Sequence, residues 1–178
     1  MRVVGIVLAL LSAMATGAQA QNAAKNPPTT AKPVAALSWL IGGVWTADAS
    51  KLGGGMQRIE TRYEWSDNNA YVRFNTHFVS DRGTLHNYDG NFFWDPIRAT
   101  LAVWYMDSQN QITQSPVKIT GDVMTMQFPS TDQQRKVAYF RVHVTRKTND
   151  WYGWLLEEKQ GQNWKQLLAL EYLRTPRA

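Results

Sequence analysis

The chain has 178 residues, a formal charge of +5 and no cysteine. That length fits a short leader followed by one domain with a single core, and the lack of cysteine removes disulfides, thiolate metal sites and cysteine nucleophiles. Lysines and arginines are scattered singly or in pairs such as Arg146-Lys147. No basic stripe forms, so nucleic acid is disfavoured as a partner.

Met1-Arg2 is a minimal positive start, Val3 to Leu11 is an apolar run too short to span a bilayer, and Ala18-Gln19-Ala20 is a small-x-small cleavage site. Residues 1–20 therefore read as a signal peptide, which makes the protein exported, periplasmic or secreted, with no stable membrane span. A short N-terminal anchor is the alternative. Residues 21–33, polar and rich in Pro, Thr and Asn, read as a flexible lead, and residues 34–176 as a single domain.

The domain opens on a short helix. Pro33 suits a first helical turn, Leu37, Leu40 and Ile41 recur at helical spacing, and Gly42 offers a stop. Gly43-Val44-Trp45 then begins the first strand. Gly53-Gly54-Gly55 lacks the lysine and helix of a phosphate-binding loop, and reads as a link to the second strand.

From there the pattern alternates with period two. Ile59, Thr61, Tyr63 and Trp65 fall on one side of a strand, and Arg58, Glu60, Arg62 and Glu64 on the other. Ser66-Asp67-Asn68-Asn69 is a turn, and Ala70 to Ser80 alternates again. A tight hairpin with Ser66 facing Asn69 sets Tyr63 opposite Val72, Thr61 opposite Phe74 and Ile59 opposite Thr76. Further strands are expected at Asn87–Trp94, Thr100–Asp107, Ile112–Ile119, Asp122–Phe128, Lys136–Lys147 and Trp151–Glu158. Trp164–Leu173 also fits a helical stripe, but it follows a strand across a short Gly-containing turn and is taken as the last strand. About nine or ten short antiparallel strands make an up-and-down meander, and such a meander closes on itself to remove its edges. The expected fold is an all-β barrel.

A short helix, Gly43-Val44-Trp45 at the first strand, and a last strand ending near Arg174 resemble the calycin group of lipocalin-like barrels. Leu40-Ile41-Gly42-Gly43-Val44-Trp45, Tyr88-Asp89-Gly90 and Trp94-Asp95-Pro96 are similar to bacterial domains of the DUF1579 type. The calycin resemblance implies that Trp45 forms the barrel floor with Arg174 packed across it as a cation–π partner. It leaves function open. A haem-binding barrel family related to nitrobindin shares the G-x-W start but carries a histidine in its final strand. This sequence has none there, so haem is disfavoured and no cofactor is expected.

Candidate functional residues come from two patterns. Eight Trp, seven Tyr and six Phe supply aromatic surface, which suits either a large-ring β core or ligand contact. Tyr63, Phe74, Thr76, Phe92, Trp94, Trp104, Met126, Phe140 and Trp154 are the candidate lining of a cavity. Trp104, Met106, Met124 and Met126 contribute to one aromatic and thioether wall that adapts to irregular apolar ligands. The second pattern is the polar face of the first hairpin, where the register above sets Arg62 opposite Arg73, Arg58 opposite His77 and Glu60 opposite Asn75. That face is either solvated, with Glu60 and Glu64 diagonal to the arginines, or turned inward so that Arg62 and Arg73 clamp a carboxylate or phosphate.

The leading function is binding of a small apolar or amphipathic molecule, and the alternative is a barrel enzyme, an isomerase, cyclase or hydratase, moving a proton with His77, Glu60 or His143. The three histidines, His77, His86 and His143, lie on separate segments with no metal-ligand spacing. Glu157 and Glu158 are adjacent in a strand and face opposite ways. Asp89 and Asp95 read as turn formers. Oligomeric state is left open.

Overall fold

The computed structural model describes residues 33–131 and 136–176, without the side chains of residues 85–87. The signal peptide and all of the flexible lead except Pro33 lie outside the described residues. Among the described residues, no helix is long and apolar enough to cross a membrane.

The helix forms as expected but winds as a 3-10 helix over Pro33–Leu40. Its buried side chains are Val34, Leu37 and Leu40, three residues apart, which is the period of that tighter helix. Gly42 and Gly43 then turn the chain with φ of 88° and 69°. A side chain at Gly43 would put its Cβ 2.5 Å from the Thr175 carbonyl oxygen, so this position requires glycine on two counts.

Ten strands follow among the described residues: β1 Val44–Asp48, β2 Met56–Trp65, β3 Tyr71–Ser80, β4 Gly83–Asp95, β5 Thr100–Asp107, β6 Ile112–Thr120, β7 Val123–Thr131, β8 Val137–Arg146, β9 Trp151–Gln160 and β10 Asn163–Thr175. Each pairs antiparallel with its neighbours in sequence, and β1 also pairs with β10, so the sheet is a closed up-and-down barrel. The expected fold class is the observed one.

Two local features differ from expectation. Trp65 pairs with Val72, Tyr63 with Phe74, Thr61 with Thr76 and Ile59 with Phe78, a slip of two residues from the tight hairpin. The cause is a five-residue loop. Ser66 Oγ accepts from the backbone N–H groups of Ala70 (3.0 Å) and Tyr71 (3.2 Å), and Asn69 takes a φ of 53°. A slip of two preserves which side chains share a face, so the apolar faces still meet. On the polar side the like charges separate, with Arg62 now opposite Asn75 and Arg73 opposite Glu64.

As expected, 164–173 is strand, within β10. Its helix-like stripe comes from a bulge between Gln166 and Leu168, which leaves Leu167 as an extra, 46% exposed residue beside inward-leaning Leu168. The second difference is that β4 begins at Gly83, earlier than expected.

The closed end is built on Trp45, fully buried. Its indole N–H donates to the Leu40 carbonyl at 2.7 Å, tying the helix to the barrel. The Arg174 guanidinium lies 4.4 Å from the Trp45 ring centroid, and it donates to the carbonyls of Ile41 (2.7 Å), Trp39 and Asn149 (2.7 Å). Replacing Arg174 by Met leaves three carbonyls without their donor. It should cost about 3 kcal/mol or more, read as a lower urea midpoint at an unchanged m-value. Arg174→Lys should recover only part of the loss, since an ammonium cannot lie flat on the ring and fork to three carbonyls at once.

Candidate functional site

Strand alternation sends every second side chain inward. Above the Trp45 floor these side chains surround a cavity of about 360 Å³, within the range of small-molecule sites.

Its walls are mostly rings and aliphatic groups. Tyr63 on β2 lies 6.1 Å from Phe74 on β3, Phe74 lies 6.3 Å from Tyr105 on β5, Tyr105 lies 6.2 Å from Phe128 on β7, and Phe128 lies 6.1 Å from Phe140 on β8. These centroid distances make a continuous aromatic belt around more than half the barrel. The belt skips β4 because Gly90 stands there, paired with both Phe74 and Tyr105. A Cβ at Gly90 would lie 2.6 Å from Phe74 Cζ and 2.6 Å from Tyr105 Cβ, so the missing side chain is what lets the two rings meet. Met124, Met126, Trp154, Leu156 and Leu170 complete the wall.

The polar groups of the lumen are nearly all hydroxyls. Tyr63 Oη is 3.4 Å from Tyr152 Oη, and Thr61 Oγ1 is 2.9 Å from Thr76 Oγ1. Tyr152 packs on the floor 4.7 Å from Trp45 and stacks on Tyr172 at 4.7 Å. Burial pushes the hydroxyls of Tyr63 and Tyr88 up to about 12 and raises Tyr152 and Tyr172 further. All four are O–H donors at neutral pH. Asp107 is the one charged lining residue among those described. Its carboxylate accepts from the backbone N–H groups of Gln109 and Gln111, each at 2.9 Å, and so serves the β5–β6 turn.

Of the residues proposed from sequence, Tyr63, Phe74, Thr76, Phe92, Met126, Phe140 and Trp154 line this lumen. Trp94, Trp104, Arg62 and Arg73 do not. Trp94 shares the parity of Phe92 but sits at the closed end of β4, past the floor, and is 38% exposed. Trp104 neighbours Tyr105 in β5 and so points the other way. With Arg62 and Arg73 it borders a depression of about 430 Å³ on the outer wall, where Arg73 pairs with Asp67 at 3.1 Å. An inward anion clamp by Arg62 and Arg73 is therefore not what the barrel presents. Their strands bury Ile59, Thr61, Phe74 and Thr76 instead, because an arginine inside without a carboxylate costs far more than one in water.

The proton-transfer candidates also lie outside. Glu60 pairs with Arg58 at 2.6 Å, and His77 stands opposite it on β3. His143 on β8 bridges Thr125 Oγ1 (3.0 Å) and Glu157 Oε2 (3.3 Å) on the outer wall. Arg141 completes that cluster, 2.7 Å from Glu157 and stacked 4.5 Å from the Trp164 centroid. The Arg141 guanidinium holds the Glu157 carboxyl below its ordinary range, and His143 adds to the effect. The side chain of His86 lies outside the described residues. Among the described residues no cluster of three His, Cys, Asp or Glu stands where it could hold a metal.

Sequence reasoning missed Tyr88, Tyr105, Tyr152 and Tyr172. The signal that finds the last two is the floor: once Trp45 points inward, Ala47 does too, and its ladder partner Tyr172 with Tyr152 beside it must follow.

This fold and lumen define a closed ten-stranded antiparallel barrel with room for a small molecule. Among solved structures it is similar to Rv2717c from M. tuberculosis, with a TM-score of 0.50 and 15% identity over 80% of this chain and 96% of that one. At that identity the likeness is one of fold. No family model matches the chain, and no curated protein matches it by sequence.

Two outcomes follow. Gly90→Ala should drive Phe74 and Tyr105 apart and cost about 1–3 kcal/mol in chemical unfolding, with a changed near-ultraviolet dichroism from the displaced rings. The raised tyrosines set the alkaline limit. Unfolded tyrosine ionises near 10.0 whereas Tyr63 and Tyr88 in the fold wait until about 12, so the unfolded state binds fewer protons in that window. Stability should be intact below pH 10 and fall as pH rises toward 12 and beyond, with tyrosinate absorbance appearing in step with unfolding.

Proposed function

We propose that the protein is an exported carrier that holds a small, uncharged, largely apolar molecule in the barrel lumen. The observation that supports this reading is the 360 Å³ cavity with an aromatic belt and no Lys, Arg or His among its described lining residues. Apolar burial against such walls contributes roughly 25 cal/mol per Å², while a bound anion would lack a counter-charge. Export rests on the leader of residues 1–20, and the likeness to DUF1579-type domains on the three short motifs given above. Neither haem nor a metal is proposed as cofactor, since the final strand carries no histidine to hold a haem. None of His77, Glu60 and His143 lines the lumen, so they give a proton-shuttling enzyme no support.

Native mass spectrometry of protein purified from its own cells should show a bound small molecule. Apolar probes at about a hundredfold excess over their Kd should raise the melting temperature by about 5–10 °C. A clean apo mass, with no probe shifting the melt, would sink the carrier reading.

A further inference from the structure

The hydroxyls above the floor are the donors that the deep lumen presents to a ligand. Thr61, Tyr63, Thr76, Tyr152 and Tyr172 all line the lumen, and each hydroxyl carries one proton. Two hydrogen bonds join four of them, Tyr63 to Tyr152 and Thr61 to Thr76. Each bond uses one proton of its pair, so each pair keeps one O–H to donate beyond itself. A spare lone pair on an oxygen that already takes part in a bond is tolerated, whereas an unmet buried donor is not. Beneath them lies the Trp45 ring, whose own N–H donates to the Leu40 carbonyl. Asp107 stands at the mouth, committed to its turn.

Tyr63 and Tyr152 make the looser of the two bonds. They come from β2 and β9, with β1 and β10 between them, so their contact reaches across the lumen. At 3.4 Å it is longer than an ordinary O–H···O bond. Two phenol oxygens at that spacing can both donate to one oxygen placed between and above them.

Resting on the carrier reading, we propose that the ligand bears an uncharged acceptor oxygen of the carbonyl class and enters polar end first. Tyr63 and Tyr152 donate to that oxygen at the floor, and the apolar body lies against the belt of Phe74, Tyr105, Phe128 and Phe140. A carboxylate in the same place would meet neutral donors without a cation. A pure hydrocarbon would leave the pair's second proton unmet.

Three probes with one aromatic body separate these cases: ethylnaphthalene, acetylnaphthalene and naphthoate, titrated calorimetrically at neutral pH into the folded protein. The ketone should bind about tenfold tighter than the hydrocarbon, the worth of one or two buried hydrogen bonds, and naphthoate should be weakest. In Tyr63→Phe and Tyr152→Phe the ratio of ketone to hydrocarbon affinity should fall from about ten toward one. Tyr63→Phe carries the test if Tyr152→Phe, which packs on the floor, fails to fold. Equal affinity for ketone and hydrocarbon in the unmodified protein, an unchanged ratio in the variants, or tightest binding by naphthoate would overturn the assignment while the carrier reading stands. If none of the three binds, the carrier reading itself fails.

Discussion

Ten strands form a barrel only when the last pairs with the first, and here that seam is a strand of five residues. β1 meets β10 through Val44 to Ala47 and β2 through Trp45 to Asp48. So short a ladder holds its register weakly by itself. The Trp45–Arg174 contact supplies what the ladder lacks, because Trp45 and Arg174 are ladder partners as well as a stacked pair. The same guanidinium gathers carbonyls from the 3-10 helix, the glycine turn and the β8–β9 loop. It remains 18% exposed in its side chain, so the pairing avoids the full cost of burying a charge.

Fixing that register fixes the inside of the barrel. Since the side-chain period is two, one known inward residue on β1 sets the parity of its neighbours all the way around. Trp45 and Ala47 inward imply Ile59, Thr61 and Tyr63 inward, then Phe74 and Thr76, then Gly90 and Tyr88. The aromatic belt and the hydroxyl floor are consequences of the seam. Gly90 is the place where this propagation meets a steric limit, and the sequence resolves it by removing a side chain.

Much of this was legible before any coordinates. The barrel class, the helix that enters it, the closed-end tryptophan and the shared faces of the first hairpin all follow from alternation and turn residues. What failed has particular causes. Ser66 to Ala70 is one loop with two plausible closures, and hydrogen bonds to Ser66 Oγ, invisible in a pattern, select the longer one. In β5, Leu101 to Met106 is apolar on both faces, so alternation cannot say whether Trp104 or Tyr105 is inside. Trp94 has the right parity and the wrong height. Among the eight tryptophans only Trp154 lines the lumen, so the tryptophan content that suggested a ligand wall mostly covers the floor and the outer surface.

The charges are sorted by the same parity. Arg141 with Glu157, Lys147 with Glu171 and Arg58 with Glu60 lie on the outer wall, the first joining β8 to β9 and the second the β8–β9 loop to β10, on the water-facing side of the sheet. Placed one residue along, each would enter a lumen with no partner, and the cost of burial would exceed what any neighbouring hydroxyl returns. Discrimination among ligands therefore falls to shape and to neutral hydrogen bonds. Neutral hydroxyls are weak donors individually, but they sit in a low-dielectric space where a mismatched partner is expensive. Selectivity in such a site comes from the groups a ligand leaves unmet as much as from those it satisfies, and that puts the discriminating power at the tyrosine floor instead of along the apolar walls.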